Sequence, residues 1–554
     1  MSDWVHAAGF QFLRNVTRFW IAPMKRSVLM LSFWVLCCVP VVTAQETGDA
    51  EKLGRVHFAV SCLPATQPHF DRAVAMLHSF WYPQGFDAFS EITKSDPSCA
   101  MAYWGMAIGR RANPLVGAPN PQVLKDGLEA VGKAKLAEAK TRRERDYISA
   151  IETYYKDWEK LDYRERVLAY EKAMEQVYLR YPEDSEAAVF YALAINEAIT
   201  VLPADPNFTR QLKAGAILEK VLAVNPEHPG ALHYLIHSYD FPALADRGLA
   251  AARVYGDVAP SAPHALHMPS HVYSMLGMWQ ESIKANQAAL SVAKGYAHAL
   301  DFMVYAYLQL AQDIEAKHGV ERGMELQKTQ GAAAANPTGA LLAGYTALAA
   351  IPARYAIERG AWGEAATLEP LHSTPVADSI TYFTRAMGSA RNGDLEFARK
   401  NIEQLKQIED GLLQSKDDYW AQQVEIQRTA ATAWVAHAEG KQEAAIKLMR
   451  TAADLEDGSE KHVAMENRLW PMRELLGDML LAANEPGPAL KEYEASLQSA
   501  RNRYRGFYGA AKAAQHSGDL EKSRTYYGKL LALCSNADTQ RPELTEAKKY
   551  LTQK

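Results

Sequence analysis

Cysteine is scarce in this chain, with five among 554 residues, and none stands in the close CxxC spacing of a thiolate metal site. Strand signals are nearly absent: no regular apolar/polar alternation is bounded by Asn-Gly turns, which excludes a sheet-based fold. Basic charge is not in excess. The formal net charge is −5, so electrostatics give no reason to expect nucleic acid or an anionic membrane surface as partner. Also missing are a glycine-rich phosphate loop, an HExxH helix and a GxSxG elbow, and with them the simplest signatures of nucleotide binding, zinc proteolysis and serine hydrolysis. The apolar run Val28–Val42 falls short of the ~20 residues a membrane span needs.

That run instead reads as the core of an export signal. Met24-Lys25-Arg26 gives it a positive start, and Val42-Thr43-Ala44 puts small residues before Gln45, as signal peptidase requires. Residues 1–23 carry Arg14 and Arg18 ahead of the signal and make Met24 an alternative start. Residues 1–44 are therefore expected to be removed, leaving a periplasmic or secreted protein with no stable membrane insertion. Cys62, Cys99 and Cys534 remain. An oxidising compartment allows a Cys62–Cys99 bridge, since the two flank the first helical hairpin; otherwise both serve as small buried apolar residues.

What fills the chain is Ala, Leu, Glu and Lys at helical spacing, with 48% hydrophobic and 23% charged residues, so the expected class is all-α. A chain this long suits a solenoid, which grows without one central core. The segments HYLIHSYD, HALHMPSHVY and HALDFMVYAYLQ recur at a 34-residue spacing, with His233, His267 and Asp301 in one column and His237, His271 and Tyr305 in another. Thirty-four residues is the period of the tetratricopeptide helix-turn-helix unit. Further units fit at Gly85/Phe89/Ile92/Pro97, Gly248/Ala252/Tyr255/Pro260, Ala353/Gly360/Ala365, Ala386/Gly393/Ala398, Ala433/Gly440/Ala445, Gly477/Ala489/Tyr493 and Ala511/Gly518/Tyr527. The expected fold is a right-handed superhelical solenoid of such repeats. Its first region is 45–330, containing the histidines, and its second is 331–554, beyond a small-residue linker at Gly331–Pro337. Irregular stretches at Asn113–Pro121, Leu202–Asn207 and Glu456–Asn467 interrupt the period.

In a curved solenoid the first helix of each unit lines the concave wall, and positions 2, 5, 9, 12 and 13 of that helix share a face. If the helix starts at Pro229, position 5 is His233, His267 and Asp301, and position 9 is His237, His271 and Tyr305. Position 2 is Gly230, His264 and His298; Asp240 falls at position 12, and Gln309 and Glu197 at position 13. An i, i+4 histidine pair on one helix can converge on one ion, and imidazole suits zinc, copper or iron. His233/His237 and His267/His271 are two such pairs; they close around one metal together, or each begins a site completed or oriented by Asp240, Asp301 or Glu197. The expected function is thus a divalent transition-metal site in the concave groove, serving a metalloenzyme or a metal-binding repeat protein. The alternative is a scaffold whose polar groove takes a peptide, a protein or a small molecule without metal. Pro269 would interrupt the second helix, either kinking it or leaving His264 and His267 on its lead-in. His78 is expected to pack or line the groove; His462, beside Glu460, sits in an irregular loop that either caps the groove or, as for most loop histidines, has no such role.

With these residues in place, the chain resembles a group of exported bacterial tetratricopeptide-repeat proteins with a His-rich central segment. The resemblance rests on LHSFWY (77–82), DPSCAMAYWGMA (96–107), HPGALHYLIHSYD (228–240), APHALHMPSHVYSMLGMW (262–279), HALDFMVYAYLQ (298–309) and LLGDMLL (475–481). It implies a repeat fold and an exported location.

Overall fold

The computed structural model describes residues 51–330, 339–461 and 468–553; the signal segment, the Gly331–Pro337 linker and His462 lie outside them. Glu51–Lys554 forms one compact unit. Among the described residues the regular structure is helical, and no helix is long and apolar enough to cross a membrane. Each helix packs on its chain neighbours, and the first helices of successive hairpins also touch, as Ser185–Ile199 does Pro229–Tyr239. Neighbour-on-neighbour stacking of this kind defines an all-α solenoid.

Local chemistry sets the helix boundaries. Thr141 with Glu144 and Asp162 with Glu165 form capping boxes, and the side chains of Asn120, Asp394 and Asp519 cap helices by accepting backbone N–H groups, satisfying donors a helix leaves orphaned at its start. The chain splits around Pro269 into Pro263–His267 and Pro269–Leu276. Met268 keeps helical angles between them, so the missing proline N–H produces a kinked pair of short helices.

Two features close the solenoid on itself. An extended N-terminal strap runs against the order of the repeats: Ser61 donates to Glu144, Arg55 N–H to the Glu227 carbonyl at 2.9 Å, and Lys52 N–H to Ser261 Oγ at 2.9 Å. Phe58 buries its ring among Phe70, Trp104, Tyr147 and Phe190, and Cys62 is bonded to Cys99. Gly54 takes a left-handed φ of 82° where a Cβ would come within 2.7 Å of the Glu227 carbonyl, so the strap fits only with glycine there.

At the other end, residues 501–541 return to the middle of the chain. The Trp279 indole donates to the Asn502 carbonyl at 2.8 Å, Tyr504 N–H to Gln309 Oε1 at 3.0 Å, and Arg541 to the Leu308 carbonyl at 3.0 Å. Arg503, fully buried, donates to Glu474, Glu358 and Tyr305. Tyr305 and Gln309, expected on an open wall, therefore hold the C-terminal repeats instead.

Replacing Arg503 with Met leaves Glu358 and Glu474 buried without their cation. Breaking a buried pair in this way costs about 3–5 kcal/mol, so Arg503→Met should lower the urea midpoint markedly, whereas Arg501→Met, which removes only an exposed pair with Asp246, should shift it little.

Candidate metal centre

The helix Pro229–Tyr239 begins with proline at its first position, which favours a helix start, and with the His228 side chain accepting the Ala231 N–H. Four residues apart on its face, His233 and His237 bring their Nε2 atoms to 3.0 Å. His264, from the first short helix of the next unit, places its Nε2 3.1 Å from that of His233. One unit on, His267 and His271 hold their Nε2 atoms 3.1 Å apart, and His298 from the following unit completes a second group. The kink at Pro269 does not spoil the aim of His264 or His267.

The six imidazoles thus form two triads of identical construction, each with its donor atoms within 4.8 Å of one another. Each takes positions 5 and 9 of one unit and position 2 of the next. A 34-residue shift carries His233, His237 and His264 onto His267, His271 and His298. Position 2 of the first unit is Gly230 because a Cβ there would meet the His78 ring at 2.5 Å.

Instead of lining an open wall, the triads are buried. His233, His267 and His271 are at most 1% exposed, His237 and His298 7% and 6%, and only His264 is half-buried. Phe80 covers the first triad, stacking on His264 and His237 and meeting His233 edge-on; it reaches them from a left-handed backbone, φ 50°, a cost that a non-glycine residue bears only where surrounding structure holds it. Phe302 packs on all three rings of the second. Burial pushes each of the six imidazoles below its usual pKa, His267 to about 4, so they are neutral at physiological pH.

The outer contacts fix where the protons sit. His233 donates Nδ1–H to the His78 carbonyl at 2.6 Å, and His271 donates Nδ1–H to Asp240 Oδ2 at 2.8 Å. His267 Nδ1 lies 2.7 Å from Asn286 Oδ1, and that amide is oriented by its NH2 group donating to the Ser282 carbonyl. Each of these partners is an acceptor, so Nε2 of all three rings carries a lone pair. His264 Nδ1 meets the Tyr296 hydroxyl at 2.8 Å, and His298 Nδ1 is buried with no hydrogen-bond partner.

Of the carboxylates expected at this site, Asp240 alone reaches an imidazole, and it also pairs with buried Lys461. Asp301 is turned to Arg354, 3.1 Å away, and Glu197 to Arg111; neither belongs to a triad. Both were placed by helical phase, which fixes a face but not the distant arginine that claims the side chain. Asn286, Tyr296 and Lys461 are not found by helical phase because each comes from outside the histidine columns, and Phe80, in an aromatic run that reads as core, covers the first triad. His78 packs, as expected, in a third buried group: its Nε2 and that of His228 flank the Glu186 carboxylate at 2.8 and 3.1 Å. His228 Nδ1 accepts a backbone N–H there and His78 Nδ1 meets the Tyr234 hydroxyl, so this group is satisfied internally.

Two outcomes follow. Gly230→Ala should push the His78 ring aside and cost about 1–3 kcal/mol by overpacking, measured by urea denaturation. In metal-free protein the unfolded chain protonates His267 near 6.5 while the folded chain resists until about 4. The unfolded state therefore binds more protons in that window, and stability should fall as pH drops from 6.5 toward 4, seen as a declining urea midpoint that His267→Gln makes shallower.

No protein-family model matches the chain, and no curated protein matches it. Among solved structures it is similar to the APC/C hetero-tetramer Cut9-Hcn1, at 12% identity over 88% of this chain and 90% of that one, with a TM-score of 0.31. It is also similar to the human IFIT1 dimer with PPP-AAAA, at 11% identity over 79% and 91% of the two chains, TM-score 0.39, and to Naa15/Naa10 bound to HypK-THB, at 13% identity over 87% and 73%, TM-score 0.24.

Proposed function

We propose that this is an exported metal-binding helical-repeat protein, with a transition-metal ion held by His267, His271 and His298. One observation carries the reading. The Nε2 atoms of His267 and His271 face each other at 3.1 Å, yet both rings keep their proton on Nδ1, against Asn286 and Asp240. Two lone pairs at that distance repel unless a cation lies between them, and burial opposes an imidazolium. Metal–nitrogen bonds of ~2.0–2.1 Å span such a pair comfortably. Neutral imidazole donors suit zinc or copper and disfavour magnesium or calcium, and Asp240 acts as the outer acceptor that orients His271. Export is supported by the signal-like N-terminus and by the Cys62–Cys99 bond, which persists in oxidising compartments.

A second reading, a peptide-binding scaffold, draws on a cleft lined by Phe383, Trp420, Gln423, Gln427 and Trp470, where Gln423 Nε2 and Gln427 Oε1 are buried without hydrogen-bond partners.

Elemental analysis of protein purified without a histidine tag separates the two. Stoichiometric metal should be present in wild type and absent from His267→Ala/His271→Ala, and zinc at a hundredfold its Kd should stabilise wild type by about 2.7 kcal/mol. Metal-free wild type with no thermal shift on adding zinc or copper would overturn the metal reading and leave the scaffold.

A further inference from the structure

We propose that His233, His237 and His264 hold a second ion, so that the two triads form a paired-metal centre whose ions share a small bridging oxygen anion such as hydroxide. The inference rests on the metal reading above and extends it from one site to two.

The first triad repeats the second in construction, one 34-residue unit earlier in the chain. The paired distance matches, with Nε2 of His233 3.0 Å from that of His237 as His267 is 3.1 Å from His271, and His264 adds a third Nε2 3.1 Å from that of His233. Because the His78 carbonyl holds the His233 proton on Nδ1, Nε2 offers a single lone pair to two close neighbours. A hydrogen bond from one ring uses that pair and leaves the other nitrogen crowding it; a cation at the centre serves all three. The triads also adjoin, with ring centres of His264 and His267 5.9 Å apart and those of His237 and His271 6.1 Å apart.

Charge then calls for an anion. Two divalent ions on six neutral imidazoles place four positive charges in a buried site. Among the described residues the carboxylate in contact with the triads is Asp240, which is already opposed by Lys461. Uncompensated buried charge is costly, and an oxygen anion between two ions is the usual arrangement of two-metal sites. The most exposed ring of the six is His264, which is half-buried.

The test uses copper(II) as the probe ion, added to untagged full-length protein stripped with chelator, with copper counted after desalting and its paramagnetic resonance recorded. The expected result is two ions per chain with most of the signal lost through coupling across the bridge. His264→Ala, at the half-buried ring, should retain one ion and recover the full signal of that ion. Zero bound ions overturn the metal reading itself. One ion per chain in wild type overturns the second site and leaves the first standing, and two ions with undiminished signal overturn the bridge. These wild-type counts decide the matter whether or not the variant folds.

Discussion

Two buried imidazole nitrogens that face each other with lone pairs set the central constraint of this molecule. At 3.1 Å the Nε2 lone pairs of His267 and His271 oppose each other, a repulsion that the proposed metal ion would relieve, and the surroundings disfavour a proton in its place. Asn286 and Asp240 draw the ring protons outward, while burial disfavours a second proton on either ring. Hydrogen bonding and desolvation thus act together. The first selects the tautomer and the second removes the charged alternative.

Holding those rings still requires a rigid frame, and the frame comes from contacts remote in sequence. The strap at residues 52–61 ties the starts of several first helices together, and His78, whose carbonyl fixes His233, is itself wedged against Gly230 and bound to Glu186. From the other side, Arg503 and Tyr504 lock the returning C-terminal repeats to Tyr305 and Gln309. A linear solenoid contacts only its neighbours. Here the two ends add long-range contacts, which convert a flexible array into one that can hold six side chains in register.

Much of this was legible beforehand. The 34-residue spacing gave the repeat, and helical phase put the histidine pairs on one face, because both depend on local periodicity. What phase could not supply was the division into triads. That depends on position 2 of the following unit swinging back across the unit boundary, and on a kink at Pro269 that leaves His264 and His267 still aimed inward. Nor could it foresee burial, since Phe80 arrives from the first hairpin and Phe302, one turn beyond His298, covers the second triad only once the units stack. The carboxylates failed for a related reason: Glu197 and Asp301 lie on the right columns, but Arg111 and Arg354 compete for them in three dimensions.

Asp301 also shows where the site stops. It stands one period after His267, and Tyr305 stands one period after His271, so these two residues occupy the places that would found a third triad. Asp301 instead accepts from Arg354, and Tyr305 accepts from Arg503, both arginines coming from later repeats. The same columns that present imidazole in two units present an ionic and hydrogen-bonding anchor in the next. An imidazole at 301 could not neutralise Arg354, which is fully buried, and a buried guanidinium without its carboxylate is strongly destabilising. The number of triads is therefore limited by the need to dock the C-terminal repeats: the array can extend its donors only until the chain must close over them.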